Sequence, residues 1–126
     1  MGWVTVALSS NTERLSTGYI IVGAYADKVR RTLFAQAKRL GLQDSEVARA
    51  SAELNMVLFE VLVGGLKADK GDVVRIIVNY KVSDGKISWD YSSLKVELFK
   101  RVPDDDVTRA LQELLPRALE SARRRQ

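Results

Sequence analysis

The chain has 126 residues and a mass of 14.1 kDa, enough for one domain with its own hydrophobic core. It contains neither histidine nor cysteine, which excludes disulfides, thiolate nucleophiles, Cys/His zinc sites and every Ser-His or Cys-His catalytic arrangement. Twenty Lys and Arg against sixteen Asp and Glu leave a net charge of +4, a balance that leans towards a polyanionic partner.

The opening segment Trp3 to Leu8 alternates Val4, Val6 and Leu8 with Trp3, Thr5 and Ala7, so it reads as a strand or arm. Met1-Gly2 resembles a myristoylation start, but the alternation fits a strand better. No basic leader and no long apolar run is present, which predicts a cytoplasmic protein without membrane contact. Dense Lys, Arg and Glu with little Asn is a thermophile-like composition. Ser9 to Thr12 reads as a loop.

Thr17 to Leu40 has the spacing of a long helix, with Ser16 or Thr17 as cap and Gly41 as stop. Val22, Ala26, Val29, Leu33, Ala37 and Leu40 share one stripe. Lys28, Arg31, Lys38 and Arg39 lie opposite it, flanked by Arg30 and bordered by Phe34. Ile20, Ile21 and Tyr25 add a spare apolar patch near the start. A second helix is predicted from Asp44 or Ser45 to about Val63, stopped by Gly64-Gly65. Val47, Leu54, Leu58 and Val61 form one of its stripes, and Ala52, Met56, Phe59 and Val63 form another. A helix apolar on two sides is either central in the fold or shared with a second subunit.

Val73 to Val82 is rich in β-branched residues and predicts a strand. Asp84-Gly85 predicts a type I′ hairpin that pairs Val82 with Ile87, Tyr80 with Trp89 and Val78 with Tyr91. A third strand is expected over Leu94 to Val102. Asp104 to Asp106 suit a helix N-terminus, and Val107, Leu111, Leu114, Ala118 and Ala122 stripe a last helix that Pro116 should kink. The expected fold is a single α+β domain over residues 1–126. It has an antiparallel sheet of three to four strands packed with two long helices and a C-terminal helix.

Three features could carry function. The basic stripe of the first helix is either a phosphate-tracking row or a solvated face; Asp27 is its one acidic neighbour. The first 43 residues hold six basic and two acidic groups, so the net charge could come from there. The aromatic hairpin face of Tyr80, Trp89 and Tyr91 is either a base-stacking platform or ordinary core. The opposite sheet face offers Arg75, Lys81, Lys95, Arg101, Phe99 and Ile77, as a nucleic-acid surface or as a solvated one. The scattered carboxylates have no spacing that singles out a metal site, so neither metal nor cofactor is expected.

Ser16-Thr17-Gly18-Tyr19 followed by Gly23 to Arg31 resembles the archaeal ThermoDBP-related proteins. So do Glu53-Leu54-Asn55, Lys70 to Arg75 and Trp89-Asp90-Tyr91. The likeness covers residues 15–103, leaving 104–126 as a C-terminal helix and basic tail. It implies a non-catalytic, non-OB protein that binds single-stranded DNA, with RNA left open, in a basic and aromatic cleft. It also implies self-association as a dimer or tetramer. The candidate nucleic-acid-binding residues are Lys28, Arg30, Arg31, Phe34, Lys38, Arg39, Arg75, Lys81, Trp89 and Tyr91. The alternatives are a structural protein that builds a homo-oligomer and, less supported, a carboxylate-metal nuclease.

Overall fold

The computed structural model describes residues 12–125. Two strands come first, β1 (Thr12–Ser16) and β2 (Ile20–Ile21), then a single 3-10 turn (Val22–Ala24). Helix α1 spans Tyr25–Leu40, and α2 spans Asp44–Phe59 and continues through a π-type turn over Glu60–Gly65. The hairpin β3 (Val73–Ser83) and β4 (Lys86–Phe99) follows, and α3 (Asp104–Arg124) ends the chain. This is the expected α+β architecture: a four-stranded antiparallel sheet with two long helices and a C-terminal helix.

β3 falls where the sequence pattern predicts a strand, and the strands on one of its edges come from a segment read as loop and helix. The arm over residues 3–8 lies outside the described residues. The four described strands are β3, β4 on one of its edges, and β1 and β2, which line the other. The long helix starts at Tyr25, not Thr17, and Ser16 belongs to β1. Ile20 and Ile21 are β-branched and pair with Val74 and Val73, which withdraws them from the helix. Gly18 turns the chain between β1 and β2 with φ 65°, a conformation a side chain would strain. Thr17 bridges the gap: its N–H donates to the Ile76 carbonyl at 3.0 Å, and its hydroxyl accepts the Ile76 N–H at 2.9 Å.

The hairpin turn is as expected, with Asp84 at φ 53° and Gly85 at φ 73°. Val82 pairs with Ile87 and Tyr80 with Trp89, but Val78 does not pair with Tyr91. The register jumps between Ile77, which faces Lys95, and Asn79, which faces Asp90. The separate third strand over Leu94 to Val102 is therefore the far end of one continuous β4, which stops at Phe99. Local bonds hold the bulge: Asp90 Oδ1 accepts the Ser92 hydroxyl at 2.5 Å, and Ser93 Oγ accepts the Asn79 N–H at 2.8 Å. That hydroxyl supplies the acceptor the broken ladder lacks.

Helices α1 and α2 cover one sheet face. Leu15, Val74, Ile76, Val78 and Tyr80 from the sheet meet Val29, Leu33, Val47, Leu54 and Leu58 from the helices, all fully buried. Each such side chain contributes about 1.5–3 kcal/mol by burial. Gly41 closes α1, its N–H bonding the Ala37 carbonyl. Of the two apolar stripes on α2, Val47, Leu54 and Leu58 of the first are core, with Leu62 rather than the half-buried Val61 continuing it through the π-type turn, whereas Ala52, Met56, Phe59 and Val63 are exposed. Helix α3 runs unbroken through Pro116 and buries no residue. Among the described residues no helix is long and apolar enough to cross a membrane.

Candidate nucleic-acid interface

The sheet face away from α1 and α2 is uncovered among the described residues. Strand alternation sends Arg75, Ile77, Asn79 and Lys81 of β3 to it, with Arg14 of β1 and Lys95, Glu97 and Phe99 of β4. Tyr19, from the turn before β2, completes it. Its ring meets Phe99 edge-on at 5.7 Å, and the Arg75 guanidinium carbon stands 5.1 Å from its centroid. Tyr19 is 60% exposed and Phe99 48%, so both rings are open to a ligand. Arg75 donates from Nε to Glu97 Oε1 at 2.7 Å, and Nη2 bonds the same oxygen. The Glu97 carboxylate holds the Arg75 guanidinium above its ordinary pKa, mainly through that hydrogen bond. Arg14, Lys81 and Lys95 have no ion-pair partner among the described residues.

The ten residues singled out from sequence do not form one site. Lys28, Arg30, Arg31, Phe34 and Lys38 sit on α1, in the layer on the other side of the sheet. Arg30 and Arg31 both bond Asp27, at 2.7 and 2.9 Å, which offsets part of the stripe's charge. Phe34 packs against the core. Arg39 reaches Glu13 at 2.9 Å, tying α1 to β1. Only Arg75 and Lys81 stand on the open face.

The aromatic hairpin face is core at its centre. Trp89 is 8% exposed and Tyr80 fully buried, their rings edge-to-face at 5.1 Å. The Tyr80 hydroxyl donates to Gln36 Oε1 at 2.6 Å, and burial pushes its pKa up to about 12. Tyr91 is at the rim, its hydroxyl on Glu53 at 2.6 Å. Burial first, then Glu53, holds that hydroxyl well above the usual tyrosine pKa. Neither Trp89 nor Tyr80 offers a ring face to a base.

The aromatic that sequence reasoning missed is Tyr19. Absorbed into a helix reading, it lost its place in an alternating stretch that starts after Gly18. A second apolar surface, an open groove of about 590 Å³, lies at the α1–α2 end among Tyr25, Asn55, Met56 and Phe59. Among the described residues no three carboxylates converge as metal ligands would.

Three comparisons place this fold. A family model described as "ThermoDBP-related, archaea" matches residues 15–88. The crystal structure of apeThermo-DBP-RP2 bound to ssDNA dT10 is 48% identical with a TM-score of 0.73, covering 86% of this chain and 53% of that one. This chain thus spans about half the length of that relative. The crystal structure of pfuThermo-DBP-RP1 is 35% identical with a TM-score of 0.68, covering 90% of this chain and 77% of that one. No curated protein matches. Strands β2 and β3, helices α1 and α2, and the segments Ser16–Tyr19 and Gly23–Arg31 fall in the matched span, and the chain belongs to the archaeal ThermoDBP-related family.

Proposed function

We propose that this protein binds single-stranded DNA without catalysis, and that the strand lies on the open sheet face. The observation that carries this is the exposed Tyr19–Phe99 pair on the same sheet face as Lys95, Arg14 and Lys81, which follow along β3 towards the hairpin and have no ion-pair partner among the described residues. Rings stack any base, and the cations further along the face neutralise phosphates, so the surface reads no sequence. A relative at 48% identity that was crystallised with dT10 supports it. Without His or Cys, the chain lacks the commonest general base and any thiolate, which favours binding over chemistry. The reading puts the protein in the cytoplasm, with its polyanionic partner.

Anisotropy titrations with fluorescent oligothymidine and with duplex of the same length, each at several salt concentrations, test this. A single-strand preference with a salt-dependent affinity supports it. No binding at low salt refutes it.

A second reading concerns assembly. Val107, Leu111, Leu114, Leu115 and Leu119 are each at least 45% exposed along α3, and Met56 is 72% and Phe59 52% exposed on α2. Isolated apolar patches of this extent mark interfaces. We infer a homo-oligomer, with α3 and the outer stripe of α2 as its contact surfaces.

A further inference from the structure

We propose that Glu97 sets the preference of the open sheet face for single strands over duplex, by neutralising Arg75 and holding its guanidinium over Tyr19. The inference rests on the binding reading above and goes beyond it in assigning strand selectivity to one carboxylate.

Arg75 and Glu97 are direct cross-strand partners on β3 and β4. Both side chains are less than one-third exposed, at 29% and 26%. The Nε–Oε1 bond of 2.7 Å fixes one edge of the guanidinium, and Tyr19 lies 5.1 Å from its centre. With Phe99 against Tyr19, four side chains make one ledge: carboxylate, guanidinium, phenol ring, phenyl ring.

An unpaired arginine here would be a mobile cation, free to neutralise a phosphate of any nucleic acid. Paired with Glu97, it adds no net charge at the centre of the ledge. Its plane is fixed beside an aromatic ring, and a flat guanidinium is itself a surface on which a base stacks. Duplex DNA turns phosphates outward and keeps its base faces stacked inside; a single strand offers both. A ledge with muted charge and fixed planes therefore rewards base stacking, while Lys95, Arg14 and Lys81, further along the same face towards the hairpin, serve either strand form. Glu97 is a positioning residue: it acts through Arg75 and need not touch DNA.

Glu97→Gln keeps the side chain's size and removes its charge. Released, Arg75 becomes one more phosphate contact. Duplex affinity should rise about tenfold at low salt, and the salt slope should steepen by roughly 0.7–0.9. The ratio of single-strand to duplex affinity should fall several-fold. The double variant Arg75→Gln/Glu97→Gln restores a neutral pair, and its salt slope should return to that of the wild type. A purely structural role for Glu97 would lower the melting temperature and leave slope and ratio alone. If Glu97→Gln does not fold, Arg75→Lys gives the complementary reading. The pair stays neutral but loses its planar member, so single-strand affinity should fall with the slope unchanged.

A folded Glu97→Gln protein with wild-type slope and ratio overturns the proposal, as does an Arg75→Lys protein with undiminished single-strand affinity. In both cases wild-type binding to oligothymidine shows that the binding reading stands. A wild type that binds no oligothymidine removes that reading and this one together.

Discussion

The indole N–H of Trp89 donates to the Ala50 carbonyl at 2.9 Å, across the seam between β4 and α2. The carbonyl lies inside a helix, so the bond locks the ring under α2. Trp89→Ala should therefore act on stability: removal of a buried aromatic costs roughly 3–5 kcal/mol. Urea unfolding measures this. The fraction still folded should bind oligothymidine as the wild type does, and Trp89 emission should not respond to the oligonucleotide.

Tyr19 and Phe99 should behave in the opposite way. Each is about half exposed, so Tyr19→Ala or Phe99→Ala should move the melting temperature little. Each should lower single-strand affinity by about 1–3 kcal/mol, the range for one stacked base. Anisotropy and calorimetry on the same samples separate the two effects; undiminished affinity in both variants would remove the ledge from the site.

Charge reversal distinguishes the two sides of the molecule. Lys81→Glu with Lys95→Glu should weaken binding and make the salt slope shallower by about two contacts, roughly 1.4 in slope units for a single strand. The same change at Lys28 and Lys38 on α1 should have the smaller effect, since that layer faces away. Equal losses on the two sides would mean that the strand wraps both.

Self-association should depend on α3. Leu111→Glu with Leu115→Glu puts two charges into its apolar stripe without touching any buried residue. In sedimentation velocity at tens of micromolar protein, the wild type should run as a dimer or larger and the variant as a smaller species. A monomeric wild type would contradict the proposed assembly.

Two carboxylates predict an acid limb. The Arg49 guanidinium, with the Ile87 N–H, holds Glu46 at about 2. The backbone N–H of Arg101, with Lys100 and the Asp69 N–H, holds Asp72 at about 2. Both values are depressed on folding. Their stabilisation is complete above the ordinary carboxylate range, near pH 4–4.5, and is lost as pH falls towards 2. The melting temperature should be flat from pH 7 to 5 and drop below pH 4. Glu46→Gln should start lower and drop less. A wild-type profile level down to pH 2.5 would falsify this.

Much of the fold was legible in the chain because its signals are local. Asp84-Gly85 names its turn, Gly41 ends α1, and the two stripes of α2 announce one buried and one exposed face. Residues 17–24 were misread because Val22, Ala26 and Val29 carry a helical period back into a segment that pairs with β3. A contact made fifty residues away decided the matter, and no short window contains it. The site suffered from the same error. With Tyr19 inside a helix, Phe99 had no partner, and attention went to Trp89, whose neighbours across the hairpin are aromatic whether the face is buried or open. The ion pairs of Asp27 with Arg30 and Arg31 were within reach of the sequence; the separation of α1 from Arg75 and Lys81 by the whole sheet was not.

The bulge in β4 has a consequence for how this region can change. Residues 91–94 stand opposite Val78 alone, a surplus of three. Three is odd, so the in–out alternation of β4 changes phase there. Before the bulge the odd-numbered Ile87 and Trp89 point inward; beyond it the even-numbered Leu94, Val96 and Leu98 pack on the core. Phe99 and Glu97 are outside only because of that reversal. Loss of one residue from 91–94 would leave an even surplus, and plain alternation from Trp89 would then carry Leu94, Val96 and Leu98 inward and Lys95, Glu97 and Phe99 outward with no reversal. Loss of two would leave a surplus of one, which still has to reverse the phase. Shortening this segment by one or by three residues should therefore keep both faces as they are, and the ledge should survive such a deletion better than it survives the loss of two.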